Sequence, residues 1–156
     1  MTRFRTLLDT TAPDATILVR ILVGAVFLSE GIQKFLFSAA LGVGRFEKIG
    51  IPSPPIAAPF VGSVEIICGA LLIVGLLTRV ASLLLLLNIS VAILSTKIPI
   101  LLGTGFWGFS LPKMTSYGFW SMAHEARTDF CMFLGSAFLL IVGGGGWSLD
   151  RMLARK

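Results

Sequence analysis

The sequence is poor in charge. Asp, Glu, Lys and Arg make up 13% of its 156 residues, against about 25% in an ordinary soluble domain. Too few charged groups are present to clothe a water-facing surface. Histidine occurs once, at His124, so a site built from several imidazole ligands is excluded, and His124–Glu125 alone is a weak metal pair. Cysteine occurs twice, at Cys68 and Cys131, each inside an apolar run, which gives no disulfide framework. The sequence contains no P-loop, dinucleotide fingerprint, HExxH or nucleophile elbow. Gly42–Val43–Gly44 lacks the third glycine and preceding strand that a phosphate-binding turn needs.

What the chain has in quantity is apolar surface. Hydrophobic residues make up 55% and the mean hydropathy is +0.90. Four windows reach the roughly 20 residues that a membrane-crossing helix requires: 17–37, 56–77, 80–102 and 128–146. Lipid cannot satisfy backbone N–H and C=O groups, so these windows must be helical. The expected fold is an all-α membrane protein, one membrane domain over 1–156, forming a four-transmembrane-helix antiparallel bundle. The first window carries Arg20, Glu30 and Lys34. The apolar stretch of a cleaved leader carries no charges, so this window reads as a retained span.

The connections constrain the order of the helices. Leu77–Thr78–Arg79 leaves almost no slack, so the second and third spans must be antiparallel neighbours. The run of glycine, serine and prolines at 50–55 reads as a rigid extended turn, with Pro59 expected in the first turn of the second span. Residues 103–127 form a long loop holding Phe106, Trp107, Phe109, Tyr117, Phe119 and Trp120. It reads either as a lid or as an interfacial segment that holds aromatic rings at headgroup depth, and the two are compatible. Gly143–Gly146 should end the fourth span, and Ser148 should cap a short tail helix with Asp150 in its first turn.

The net charge of +5 is placed at the ends of the chain. Arg3, Arg5, Arg79, Arg151, Arg155 and Lys156 fall on the side of the termini, and Arg45, Lys48, Lys113 and Arg127 on the other. This pattern predicts cytoplasmic termini and an extracytoplasmic aromatic loop, and it points to a bilayer and not to nucleic acid as the partner.

Charged groups inside a span are expensive, about 2.5–3.5 kcal/mol each at the bilayer centre, so they mark the best candidate site. Arg20, Gly24, Phe27, Gly31 and Lys34 share one helix face, and Glu30 lies four residues before Lys34. Glu65, Cys68, Gly69 and Leu72 share another face. At 1.5 Å per residue, Glu30 sits about 4–5 Å and Lys34 about 10 Å outward of the midplane. Glu65 is near the centre, so Glu30, Lys34 and Glu65 can gather in the outer half, and Lys97, just before Pro99, reaches a depth similar to that group. His124, Glu125, Arg127 and Asp129 sit at the outer mouth of the fourth span. Glu65, Glu30 and Lys34 are therefore the candidates for a proton relay or ligand contacts. His124, Glu125, Arg127, Asp129 and Arg20 are the candidates for substrate binding. The alternatives are an ion-pair network that only fixes packing, and lysines that snorkel outward. Asn88 reads as interhelical glue. Cys68 and Cys131 lie about 12 Å apart along the membrane normal, too far for a disulfide, and read as packing residues.

Several of these residues form an ordered series. Arg20, Gly24, Phe27, Gly31, Lys34 and Phe35 are followed by Gly50 with Pro52, by Glu65 and Gly69, and by Gly75–Leu76–Leu77–Thr78–Arg79. His124–Glu125, Asp129 and Gly146–Trp147–Ser148–Leu149–Asp150 follow in turn. The series, running from about residue 15 to 150, resembles the DoxX family of bacterial membrane proteins. The resemblance implies a four-helix membrane bundle in the bacterial cytoplasmic membrane. DoxD-type relatives are linked to thiosulfate:quinone oxidoreductase and others to complexes that handle oxidative stress. It thus implies a subunit supporting quinone-linked redox chemistry, with a soluble oxidoreductase or a second copy as partner. A non-catalytic anchor recruiting a soluble enzyme is the rival expectation, and a small transporter the third.

Overall fold

The computed structural model describes Thr10 and residues 12–155. The basic positions Arg3, Arg5 and Lys156 lie outside the described residues. The described residues are helical, with no strand and one isolated bridge, between Phe106 and Phe109. Helix α1 is Thr16–Leu36 and is followed by two short helices, α2 (Ser38–Leu41) and α3 (Val43–Ile49). Helix α4 is Pro54–Val74 and α5 is Thr78–Ala92. A π turn at Ile93–Lys97 joins α5 to α6 (Ile98–Leu102). Then come α7 (Phe119–Glu125), α8 (Arg127–Val142) and α9 (Leu149–Ala154).

Among the described residues three helices are long and apolar enough to cross a membrane: Thr16–Leu36, Pro54–Val74 and the continuous rod Thr78–Leu102. A helix of 21 residues, the length of α1 and of α4, spans about 31 Å, which matches a hydrocarbon core of about 30 Å. Helix α8 has 16 residues. It is shorter than the expected window of 128–146 because Gly143, at φ +81°, turns the chain out of the helix.

Helix α1 packs on α4, α4 on α5, α5 on α8, and α8 back on α1. Val23 and Phe27, Cys68 and Leu72, Leu85 and Ile89, and Met132 and Leu139 meet in the enclosed core. The α1–α4 contact is made by glycines, as expected from their shared face. A methyl group added at Gly24 would sit 2.7 Å from the Gly69 carbonyl, and one at Gly31 would sit 2.7 Å from the Gly62 carbonyl. The two backbones therefore touch at two levels. The polarity is arranged for lipid. Leu18, Leu22, Ile56, Phe60 and Ile141 are exposed, while Arg20, Glu65, Thr78, Ser82, Lys97 and Ser136 are buried.

Three local features depart from the expected pattern. Helix α4 starts at Pro54, so Pro59 lies inside the helix and past its first turn. Residues 38–49, outside the four expected windows, form α2 and α3, and Phe46 and Ile49 of α3 are buried as α3 packs on α4. The third feature is the π turn. Pro99 has no N–H and its ring crowds the carbonyl four residues back, so the helix widens there. The Ile98 amide bonds Ile93 O, one residue further back than in an α-helix. The wider turn leaves Ser95, Thr96 and Lys97 buried.

Candidate functional site

A cavity of about 330 Å³ lies at the end of the helices where the π turn sits. Helix α1 contributes Val26, Phe27, Glu30 and Lys34, and α4 contributes Glu65. Asn88 and Ile89 come from α5, Thr96 and Lys97 from the π turn, and Asp129 and Met132 from α8. Arg45 and Phe46 of α3 also line it. The lining mixes apolar side chains with polar or ionic ones on every α-helix that forms it.

Lys34 is the hub of the first ionic group. Its Nζ lies 2.7 Å from Glu65 Oε2 and 3.9 Å from Glu30 Oε2. Asn88 Nδ2 donates to Glu65 Oε1 at 2.8 Å. Glu65 thus has partners on two helices and is buried, whereas the Glu30 side chain is 49% exposed. Buried carboxylate, ammonium and half-exposed carboxylate form a short ionic chain leading out of the core. A second pair lines the same cavity: Lys97 Nζ lies 3.1 Å from Asp129 Oδ2. The charged groups on the wall are Glu30, Glu65 and Asp129 against Lys34, Arg45 and Lys97. Three carboxylates face three cations, so the cavity is close to electroneutral, an environment suited to an uncharged ligand with polar ends.

Of the residues singled out by sequence, Glu30, Lys34, Glu65 and Asp129 come together on this wall. Glu125 lines an adjoining recess. His124 is exposed, its Nε2 lying 3.1 Å from Arg127 Nη2, and both side chains are outside the cavity. Sequence reasoning did not find Arg45, which sits on the unexpected helix α3. Nor did it pair Lys97 with Asp129, although opposite charges at similar depth on different spans were the signal that could have done so.

Arg20 belongs to the opposite end of the molecule. Its Nε donates to Leu72 O at 2.9 Å and its Nη2 to Ile73 O at 2.7 Å. Its Nη1 donates to Gly144 O at 3.0 Å and to Trp147 O at 2.6 Å. The last carbonyls of a helix have no partner within it, and here a guanidinium supplies one while tying α4 to the segment after α8. Beside it Asp150 accepts from the Leu77 and Thr78 amides at 2.7 and 2.8 Å, capping α5. Ser148 caps α9 by accepting from the Arg151 amide, as expected. The side chain proposed from sequence as a ligand contact is thus a joint between backbone segments.

Comparison with known proteins agrees with this architecture. The DoxX family model matches residues 15–98, which include Glu30, Lys34, Glu65, Asn88 and Lys97. The chain is 51% identical over 150 residues to the uncharacterized membrane protein Rv3486 of Mycobacterium tuberculosis, an alignment covering 96% of this chain and 88% of that protein. No solved structure matches. A family match over more than half of the chain and a near full-length relative at this identity show that the chain is a membrane protein of the DoxX family.

Proposed function

We propose that the chain is a four-span subunit of the bacterial cytoplasmic membrane that binds a quinone at the Lys34–Glu65 wall and serves quinone-linked redox chemistry. In this reading α8 is the fourth span, completed by the glycine segment after Val142, and residues 103–127 face outward. The termini lie in the cytoplasm, in keeping with Arg79, Arg151 and Arg155 at that end.

The observation that carries the proposal is the cavity itself. Its volume of about 330 Å³ falls within the range of small-ligand sites, roughly 300–1,000 Å³, and its mixed lining suits an apolar ring with polar oxygens. A quinone supplies an acceptor of two electrons and two protons, with the electrons coming from an oxidoreductase partner. Lys34 would donate a hydrogen bond to a ligand carbonyl. Glu65 would hold a proton at its carboxyl oxygen beside the ligand, and Glu30 would exchange it with water through Lys34. Phe27, Ile89 and Met132 would exclude water from the ring face.

The test is Glu65→Gln, which keeps size and the Asn88 contact but removes the exchangeable proton. Quinone-linked electron transfer in membranes containing the variant should fall by on the order of 10²-fold. Wild-type rates with normal membrane levels of the variant would overturn the reading.

A further inference from the structure

Beside the electroneutral cavity lies a second recess of about 620 Å³ with a different electrical character. Arg45 and Lys48 of α3, Lys97 of the π turn and Lys113 of the loop line it, against one carboxylate, Glu125. Lys97 is already matched by Asp129. Arg45, Lys48 and Lys113 have no ion-pair partner among the described residues. Glu47, between the two cations of α3, is exposed and does not line the recess. Three cations therefore converge on one concavity with only Glu125 to oppose them.

Topology gives no reason for this charge. On the proposed orientation these cations lie outside, where the distribution of Lys and Arg should be lean. Packing gives none either, since Arg45, Lys48 and Lys113 are all exposed. The recess shares Arg45, Ile49, Thr96 and Lys97 with the first cavity, so the two have a wall in common.

We propose that the recess formed by Arg45, Lys48 and Lys113 binds a phosphate oxyanion, carried by the headgroup of an anionic lipid whose tail lies outside the first cavity. Ser110 lines the same recess and adds a neutral hydroxyl donor. Guanidinium and ammonium groups supply charge-assisted bonds to phosphate oxygens. Glu125 is the built-in opponent, lowering affinity. The proposal does not rest on quinone chemistry, and its readout is binding and not electron transfer.

The full chain, purified in a neutral detergent, is equilibrated with equal amounts of phosphatidylglycerol and phosphatidylcholine, and the retained lipid is read by native mass spectrometry. The wild type should retain phosphatidylglycerol preferentially. The triple variant Arg45→Gln, Lys48→Gln and Lys113→Gln should lose that preference by on the order of tenfold or more. Glu125→Gln, which keeps every cation, should strengthen it, and this arm stands even where the triple variant fails to fold. A parallel titration with inorganic phosphate, followed by tryptophan fluorescence, identifies the source. Saturable phosphate binding that the triple variant loses, without lipid preference, keeps the oxyanion site and assigns it to a free anion. Absence of both, or binding that neither the triple variant nor Glu125→Gln changes, overturns the proposal.

Discussion

The two ends of this molecule bury charge in opposite ways. At the terminal end Arg20 is 1% exposed and reaches four carbonyl oxygens, while Asp150, also 1% exposed, takes two amides. The hydrogen-bond partners of these two side chains are all backbone, from the ends of α4 and α5 and from the segment after α8. At the cavity end Lys34, Glu65, Lys97 and Asp129 are matched by other side chains around a void. Backbone partners cannot be exchanged without unwinding helices, whereas side-chain partners can turn toward a ligand that offers the same bonds. The first arrangement holds the fold, and the second is open to chemistry.

The largest test of this contrast is Arg20→Ala. It would orphan four carbonyls and leave a gap between α4 and the segment after α8. A loss of more than about 4 kcal/mol is expected, seen as protein that no longer extracts as a monodisperse species. Arg20→Lys should not rescue it, because one ammonium cannot reach oxygens arrayed around a planar fork. Asp150→Ala should cost less, about 1–3 kcal/mol, since it frees two amides at the start of α5; the thermal midpoint in detergent reads this directly. The smallest effect belongs to the cavity end. Asp129→Leu alone should cost about 2 kcal/mol by stranding Lys97, but adding Lys97→Met should restore stability to within about 1 kcal/mol of the wild type. A double variant as damaged as Arg20→Ala would erase the distinction between the ends.

Much of the helical plan was legible in the sequence, because length and apolarity alone specify a crossing helix. Thr16–Leu36 and Pro54–Val74 are set by such runs, and the glycines singled out at 24, 31 and 69 fall where the two backbones meet. The ionic chain was legible as well, since the cost of burying Lys34 and Glu65 forces them together. What escaped was local backbone detail. Pro99 announced a disturbance but not that the helix would widen into a π turn and not break. Helix α3 has no membrane-length run, so neither it nor the position of Arg45 could be anticipated. The bonds of Arg20 were not legible, because sequence carries side-chain charge but not the free carbonyls at the end of α4 that meet it.

The glycine contacts carry one last implication. With backbones in contact at the levels of Gly24 and Gly31, and Ile73 and Ile66 packed against the same glycines, α1 and α4 have little room to re-pack and travel as a single plank. A ligand entering beside Lys34 therefore cannot be admitted by prying that plank apart. Whatever breathing the cavity needs falls to the opposite wall, where the helical ladder has already been loosened by one residue at Ile93–Lys97.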